Sequence, residues 1–135
     1  MSIETAMWPL QVAVVERLEK ESALTSKVTG IYDVVAEEHT HPYITVAEPT
    51  TQQLETKTAY VEELAIVIHV WSVYPGKKEA IDILNEVVKA IGKGLSIEGP
   101  FKLLEVKKPT LQVIDDADMR IKHGMARLMV KIKNS

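Results

Sequence analysis

The sequence predicts an α+β fold: a mostly antiparallel β-sheet with two helices packed on one face, in the order α-β-β-β-α-β-β-β. Three observations predict it. Two segments, near residues 5–21 and 77–91, carry apolar residues at helical spacing. Six short runs are rich in β-branched and aromatic residues, some with a period of two, and Pro, Gly or Asp residues punctuate the chain between elements. At 135 residues the chain can bury about two-thirds of its unfolded surface. Residues 1–135 are therefore expected to form one domain whose core needs no metal or disulfide.

In the first segment, "MSIETAMWPLQVAVVERLEKE", Leu10, Val14 and Leu18 make an i, i+4, i+8 stripe with Val15 beside it. Pro9 belongs to the first turn, where a missing N–H costs little because early helical N–H groups have no intrahelical partner. Residues 25–30 break the pattern. "GIYDVV" and "PYITVAE" then read as two strands joined by the polar link "AEEHTH". The next stretch, "PTTQQLETKTA", has one large apolar residue, Leu54, and too little to bury. It reads as a long mobile loop at about 49–59.

The strand over 60–74 puts Leu64, Ile66, Ile68 and Val70 on one face and Ala65, Val67, His69, Trp71 and Val73 on the other. Both faces are mostly apolar. Helices can cover one; part of the second is expected to meet another layer or another subunit. The helix over 77–91 turns Ala80, Leu84, Val87, Val88 and Ile91 inward, opposite Lys78, Asp82, Glu86 and Lys89, and Gly92 and Gly94 stop it. Strands follow over 101–106, 110–114 and 122–132. In the last, Ala126, Leu128, Val130 and Ile132 alternate with Arg127, Met129, Lys131 and Lys133, a strand with one wet face.

Composition narrows the function classes. With 46% hydrophobic and 26% charged residues and a net charge of −3, the chain lacks the overall basic field that grips nucleic acid. There is no cysteine, hence no disulfide or thiolate metal site; this is compatible with assembly in a reducing cytoplasm. The N-terminal segment has no basic region before its apolar run, and the longest apolar run elsewhere, 64–68, is far short of the roughly 20 residues of a membrane helix. A soluble protein is expected, without membrane contact.

Candidate chemistry is sparse. His39 and His41 lie two apart after Glu37 and Glu38, and His69 could join them on a metal, yet no fixed ligand spacing ties the three together; solvated loop histidines account for them better. "DDADMR" gathers Asp115, Asp116 and Asp118 without the twelve-residue calcium loop, and reads as a hairpin turn. Lys77 and Lys78 open a helix, where cations oppose the macrodipole, which points to a surface partner or to a solvated pair. No catalytic triad order, nucleophile elbow or phosphate loop is present. Trp71 sits on the face that the domain cannot easily hide, where it reads as an interface or core anchor.

The segments "VERLEKESALTSKVTGIYDVV", "HPYITVAEPT", "EELAIVIHVWSVYPGKKEAIDILNEVVKAI" and "DMRIKHGMARLMVKI" together resemble the tail-completion (tail-to-head joining) proteins of long-tailed, non-contractile bacteriophages, the siphophages. The resemblance runs from about residue 14 to 132. It implies a non-enzymatic virion protein without cofactor, a monomer in solution that forms a hexameric ring at the head-proximal end of the tail. The ring would dock on the tail tube and on the head completion or stopper protein of the connector, and would be made in the host bacterial cytoplasm. Pro42, Tyr43, His69, Trp71 and Ser72 match the family motif and read as structural or interfacial. In such a ring the expected partner contacts are Trp71, Lys77, Lys78 and the polar segment Thr50, Thr51, Gln52, Gln53, Leu54, Glu55, Thr56, Lys57 and Thr58. Two alternatives stay open at this point: a terminator that only ends the tube, and a small metal-dependent or ligand-binding protein using His39, His41 and His69.

Overall fold

The computed structural model describes residues 4–33, 39–54 and 60–134. Helix α1 (Met7–Glu19) and the short α2 (Ser22–Thr25) precede strands β1 (Ile31–Tyr32), β2 (Tyr43–Val46), β3 (Thr50–Leu54) and β4 (Tyr60–Ser72). Helix α3 (Lys78–Gly92) and strands β5 (Phe101–Val106), β6 (Thr110–Asp115) and β7 (Lys122–Asn134) complete the order. The α+β class and the mostly antiparallel sheet agree with the sequence reading; β1 and β2 alone are parallel.

The seven strands run β1-β2-β4-β7-β5, with β3 also on β4 and β6 also on β7. The two long strands make this possible. One half of β4 pairs with β2 and the other with β3, while β7 is shared in the same way between β6 and β5. The helices cover one face. There Leu64, Ile66, Ile68 and Val70 of β4 and Ala126, Leu128, Val130 and Ile132 of β7 are buried beneath Leu10, Val14 and Leu18 of α1 and Ile83, Leu84 and Val87 of α3. Burying each large aliphatic side chain contributes about 1.5–3 kcal/mol. Gly124 lies under α3 for a steric reason: a Cβ there would stand 3.1 Å from Leu84 Cδ1 and 3.4 Å from the Val70 Cβ.

Three readings change. The stretch 50–54, expected to be a loop, is strand β3, because its backbone N–H and C=O groups find the free margin of β4 between Val61 and Ala65; ladder bonding outweighs the low apolar content. Residues 55–59 of the same expected loop lie outside the described residues. Residues 22–25, between the expected first helix and the break expected over 25–30, form α2, held by the buried Leu24. "GIYDVV" yields strand only at Ile31 and Tyr32, and Val34 and Val35 lie outside the described residues.

Two polar ties hold the helices to the sheet. Helix α1 has no capping side chain at Ala6 and no acidic residue in its first turn. Instead Glu62 of β4, buried on the helix face, accepts from the Ala6 N–H at 2.8 Å and from the Thr5 and Thr51 hydroxyls at 2.7 and 2.5 Å. A carboxylate at a helix N-terminus also suits the macrodipole. Gln11, which interrupts the apolar run of α1, donates from Nε2 to the Val46 carbonyl at 3.0 Å. Glu62→Ala should therefore leave the buried Ala6 N–H unpartnered while the exposed Thr5 and Thr51 hydroxyls turn to water, and lower stability by about 1–3 kcal/mol, with Glu62→Gln costing about half of that. Urea melts of the three proteins check this; equal midpoints would show that the tie is incidental.

Candidate functional site

The sheet face turned away from the helices gathers aromatic and imidazole rings at one end. Tyr43, Trp71 and His123 stand directly opposite one another on β2, β4 and β7, and Thr45, His69 and Met125 form the next row. Cross-strand partners share a face, so the register alone brings these side chains together. Trp71 stacks on His123 with ring centroids 3.9 Å apart and planes 10° apart, and its indole N–H donates to the Thr45 hydroxyl at 3.0 Å. His69 Nδ1 and His123 Nε2 are 2.7 Å apart, an N–H···N bond in which one imidazole donates and the other accepts. Tyr43, nearly fully buried, lies 6.3 Å from the Trp71 ring and 5.1 and 5.0 Å from His39 and His41. Tyr32 stacks on His39 at 3.6 Å. All four histidines of the chain thus join one cluster.

Burial disfavours charge at three of these rings. It pushes the Tyr43 phenol up and both His69 and His123 down. The neighbouring His123 depresses His69 further, while Asp116 partly offsets the effect on His123. Two imidazolium ions cannot share the N–H···N bond, so the pair is built to be neutral or singly charged.

The structure distributes the other sequence candidates as follows. Ser72, buried at the end of β4, donates to Glu79 Oε1 at 2.6 Å and accepts from the Tyr74 N–H at 3.1 Å, tying the strand to the first turn of α3 across the bend at Gly76, whose φ of 105° favours glycine. Pro42 follows a cis peptide bond from His41. Lys78 bonds Asp82 at 2.8 Å in an exposed i, i+4 pair. Asp115, Asp116 and Asp118 form the turn into β7, with Asp118 held down to about 2 by hydrogen bonds from the Arg120 side chain and backbone. Thr50, Thr51, Gln52 and Gln53 are exposed on β3 and Leu54 is half-buried, whereas Glu55, Thr56, Lys57 and Thr58 lie outside the described residues. His39, His41 and His69 are not brought to one point: the first two surround Tyr43 and the third is bonded to His123. Among the described residues no group of three His, Asp or Glu side chains is placed to hold a metal ion.

Sequence reasoning passed over His123, Thr45 and Trp8. The first two depend on strand register, which periodicity cannot supply; Trp8, 65% exposed on α1, was visible as a large ring off the Leu10–Val14–Leu18 stripe. It borders a groove of about 450 Å³ along α1 and β1 lined by Val12, Val15, Ile31 and Tyr32, with Glu16, Glu19 and Asp33 at its rim. At the opposite margin, α3 and β6 enclose a second groove of about 500 Å³ with Ile81, Leu84, Leu111 and Val113 on its walls and Lys77 at its end.

The chain matches the family model described as tail completion protein gp17 over residues 12–133. It is 31% identical to the tail completion protein gp17 of Bacillus phage SPP1, with all of both chains covered. Among solved structures it aligns with one titled "Structure of bacteriophage SPP1 gp17 protein" at a TM-score of 0.64 and 29% identity, covering 94% of this chain and 91% of that one. A chain of the "Virion of native gene transfer agent (GTA) particle" aligns at a TM-score of 0.82 and 19% identity, covering 92% and 94%; at that identity the likeness is one of fold.

The imidazole pair predicts a pH dependence. Because the folded state holds both histidines below their ordinary value of 6.5, the unfolded chain binds protons first as pH falls. Their contribution to stability is complete above about pH 6.5 and is lost as pH drops below it, until the folded imidazoles are protonated too. Melting temperature should decline between about pH 7 and pH 5, and His69→Gln/His123→Gln should flatten the decline. A variant whose profile runs parallel to that of the native chain would show that the pair does not set it.

Proposed function

This chain belongs to the tail completion protein gp17 family of bacteriophages, and from that premise we propose that it forms a hexameric ring at the head-proximal end of a phage tail and joins the tail tube to the connector. The observation that carries this reading is the one-sided construction of the sheet. Helices bury the β4 and β7 side chains of one face, while the other keeps Trp71, His69 and Val67 half-buried, and both lateral margins present apolar grooves. Such a fold keeps apolar surface in reserve for neighbours.

No catalysis is needed for this role. The tube lies on one side of the ring and the head completion or stopper protein on the other, with Trp71, Lys77 and the β3 segment among the contacts to these partners or to neighbouring subunits. The exposed margins of one subunit are modest, and Lys78 is already occupied by Asp82. We therefore expect the free protein to stay monomeric or weakly associated and to close on a template, since association must offset the loss of translational and rotational freedom.

Electron microscopy of tail tubes with and without the protein tests the proposal. Added ring density at one end of the tube, followed by attachment of connector-bearing heads, is the expected result; rings that block length but never attach heads would reassign the protein as a terminator. Bare tube ends would defeat both. Trp71→Ala refines the picture. Loss of the stack on His123 and of the bond to Thr45 should cost the free chain about 1–2 kcal/mol, less than for a fully buried ring, and should reduce joining. Urea melts paired with a head-joining assay separate the two effects: a stability loss of about 4 kcal/mol would place Trp71 in the core alone.

A further inference from the structure

Trp8, Val12 and Val15 recur at spacings that put them on one flank of α1, beside and not within the buried stripe of Leu10, Val14 and Leu18. Trp8 is 65% exposed, an unusual place for so large a ring unless something covers it. On the other side of the same helix layer, Ile81 of α3 is 53% exposed and Leu111 of β6 is 46% exposed, and both line the α3–β6 groove. We infer that these two flanks are the two halves of one interface, with the Trp8 flank of one subunit seated in the α3–β6 groove of the next copy of this chain.

Position and charge support a second copy as the occupant. Helix α1 lies over β1 and β2 and α3 over β4, β6 and β7, so the two grooves sit at opposite margins of one layer. The rim of the α1 groove carries Glu16, Glu19 and Asp33, none of which is in an ion pair among the described residues. The α3–β6 groove carries Lys77, also outside any ion pair, while its carboxylate Asp82 is neutralised by Lys78. Two α1 flanks face to face would oppose carboxylates. An α1 flank against the α3–β6 margin pairs Glu16 or Glu19 with Lys77 and buries the indole, so each subunit uses a different surface for each neighbour. Contacts of that kind propagate head to tail and close when the rotation per subunit divides a full turn.

The inference rests on the ring reading above, and one experiment separates their failures. The chain has no cysteine, so Val12→Cys on the Trp8 flank and Leu111→Cys placed together supply its sole thiols and keep the indole. The double variant is incubated with tail tubes, treated with a short bismaleimide linker and split between denaturing gels and electron microscopy, with each single variant as a control. A ladder of covalent multimers that needs both thiols is the expected result. Rings on the tubes without that ladder, or dimers from Val12→Cys alone, would overturn this interface and leave the ring standing; tubes that never carry a ring with the unaltered protein would overturn both. A charge exchange gives an independent reading. Glu16→Lys/Glu19→Lys should lower the fraction of ringed tubes about tenfold or more, and Lys77→Glu in the same chain should restore most of it. Because these positions are exposed, melting temperatures should stay near that of the native chain, and a variant that assembles normally would count against the pairing.

Discussion

Continuous pairing of β4 with β7 is the constraint on which the rest of this molecule depends. The two strands meet without interruption from Tyr60 against Asn134 to Ser72 against Lys122, and every other strand except β1 is attached to one of them. Their register decides which residues face the helices. A slip of one residue would move Leu64, Ile66, Leu128 and Val130 to the open side and send His69, Trp71 and Arg127 into the core. The burial of eight aliphatic side chains from the two strands opposes such a slip. Glu62 adds to it, since only in this register does its carboxylate reach the uncapped start of α1.

The same register assembles the ring cluster on the opposite face. Trp71 meets His123 because Ser72 meets Lys122, and it meets Tyr43 because β2 uses the free margin of the same half of β4. The indole is thereby fixed by a stack and a hydrogen bond while remaining half-buried. A side chain held in this way loses little further rotamer entropy when a partner covers it, which favours association more than a mobile ring of the same area would.

Much of the fold was legible in the sequence, and the exceptions have a common cause. The apolar stripes of α1 and α3 and the alternation in β4 and β7 are local signals, and the structure places their apolar stripes in the core, except that Val88 of α3 is only half-buried while Ile83 and Ala90 join the buried side. β3 has no such signal. "TTQQL" is polar on both sides, and becomes a strand only because β4 continues past the end of β2 and leaves ladder groups to satisfy. His123 is equally silent in sequence, lying beside a glycine in a segment that reads only as wet on one face; its partner His69 is brought to it by sheet pairing. Trp71 was singled out for its face, and Ser72 for its family match, but the bond from Ser72 to Glu79 could be found only in three dimensions. The tail-completion resemblance, seen in the order of these segments, is the family that the full-length comparison shows.

The separation of β4 from β7 in the chain bears on how the protein is made. Each belongs to a locally connected group, β4 with β2 and β3, and β7 with β5 and β6, and the two groups can form only half a sheet apiece. As the chain leaves the ribosome, β4 must wait with one margin unsatisfied until α3, β5, β6 and β7 have all emerged. Closure of the sheet is a late, non-local step, slow by the usual dependence on contact separation. During that interval a chain interrupted before β7 exposes Leu64, Ile66 and Ile68 together with an open strand margin, and is a target for aggregation or proteolysis. A chain lacking β7 therefore cannot bury the β4 side chains or close the sheet, so the folded margins belong only to chains that include it.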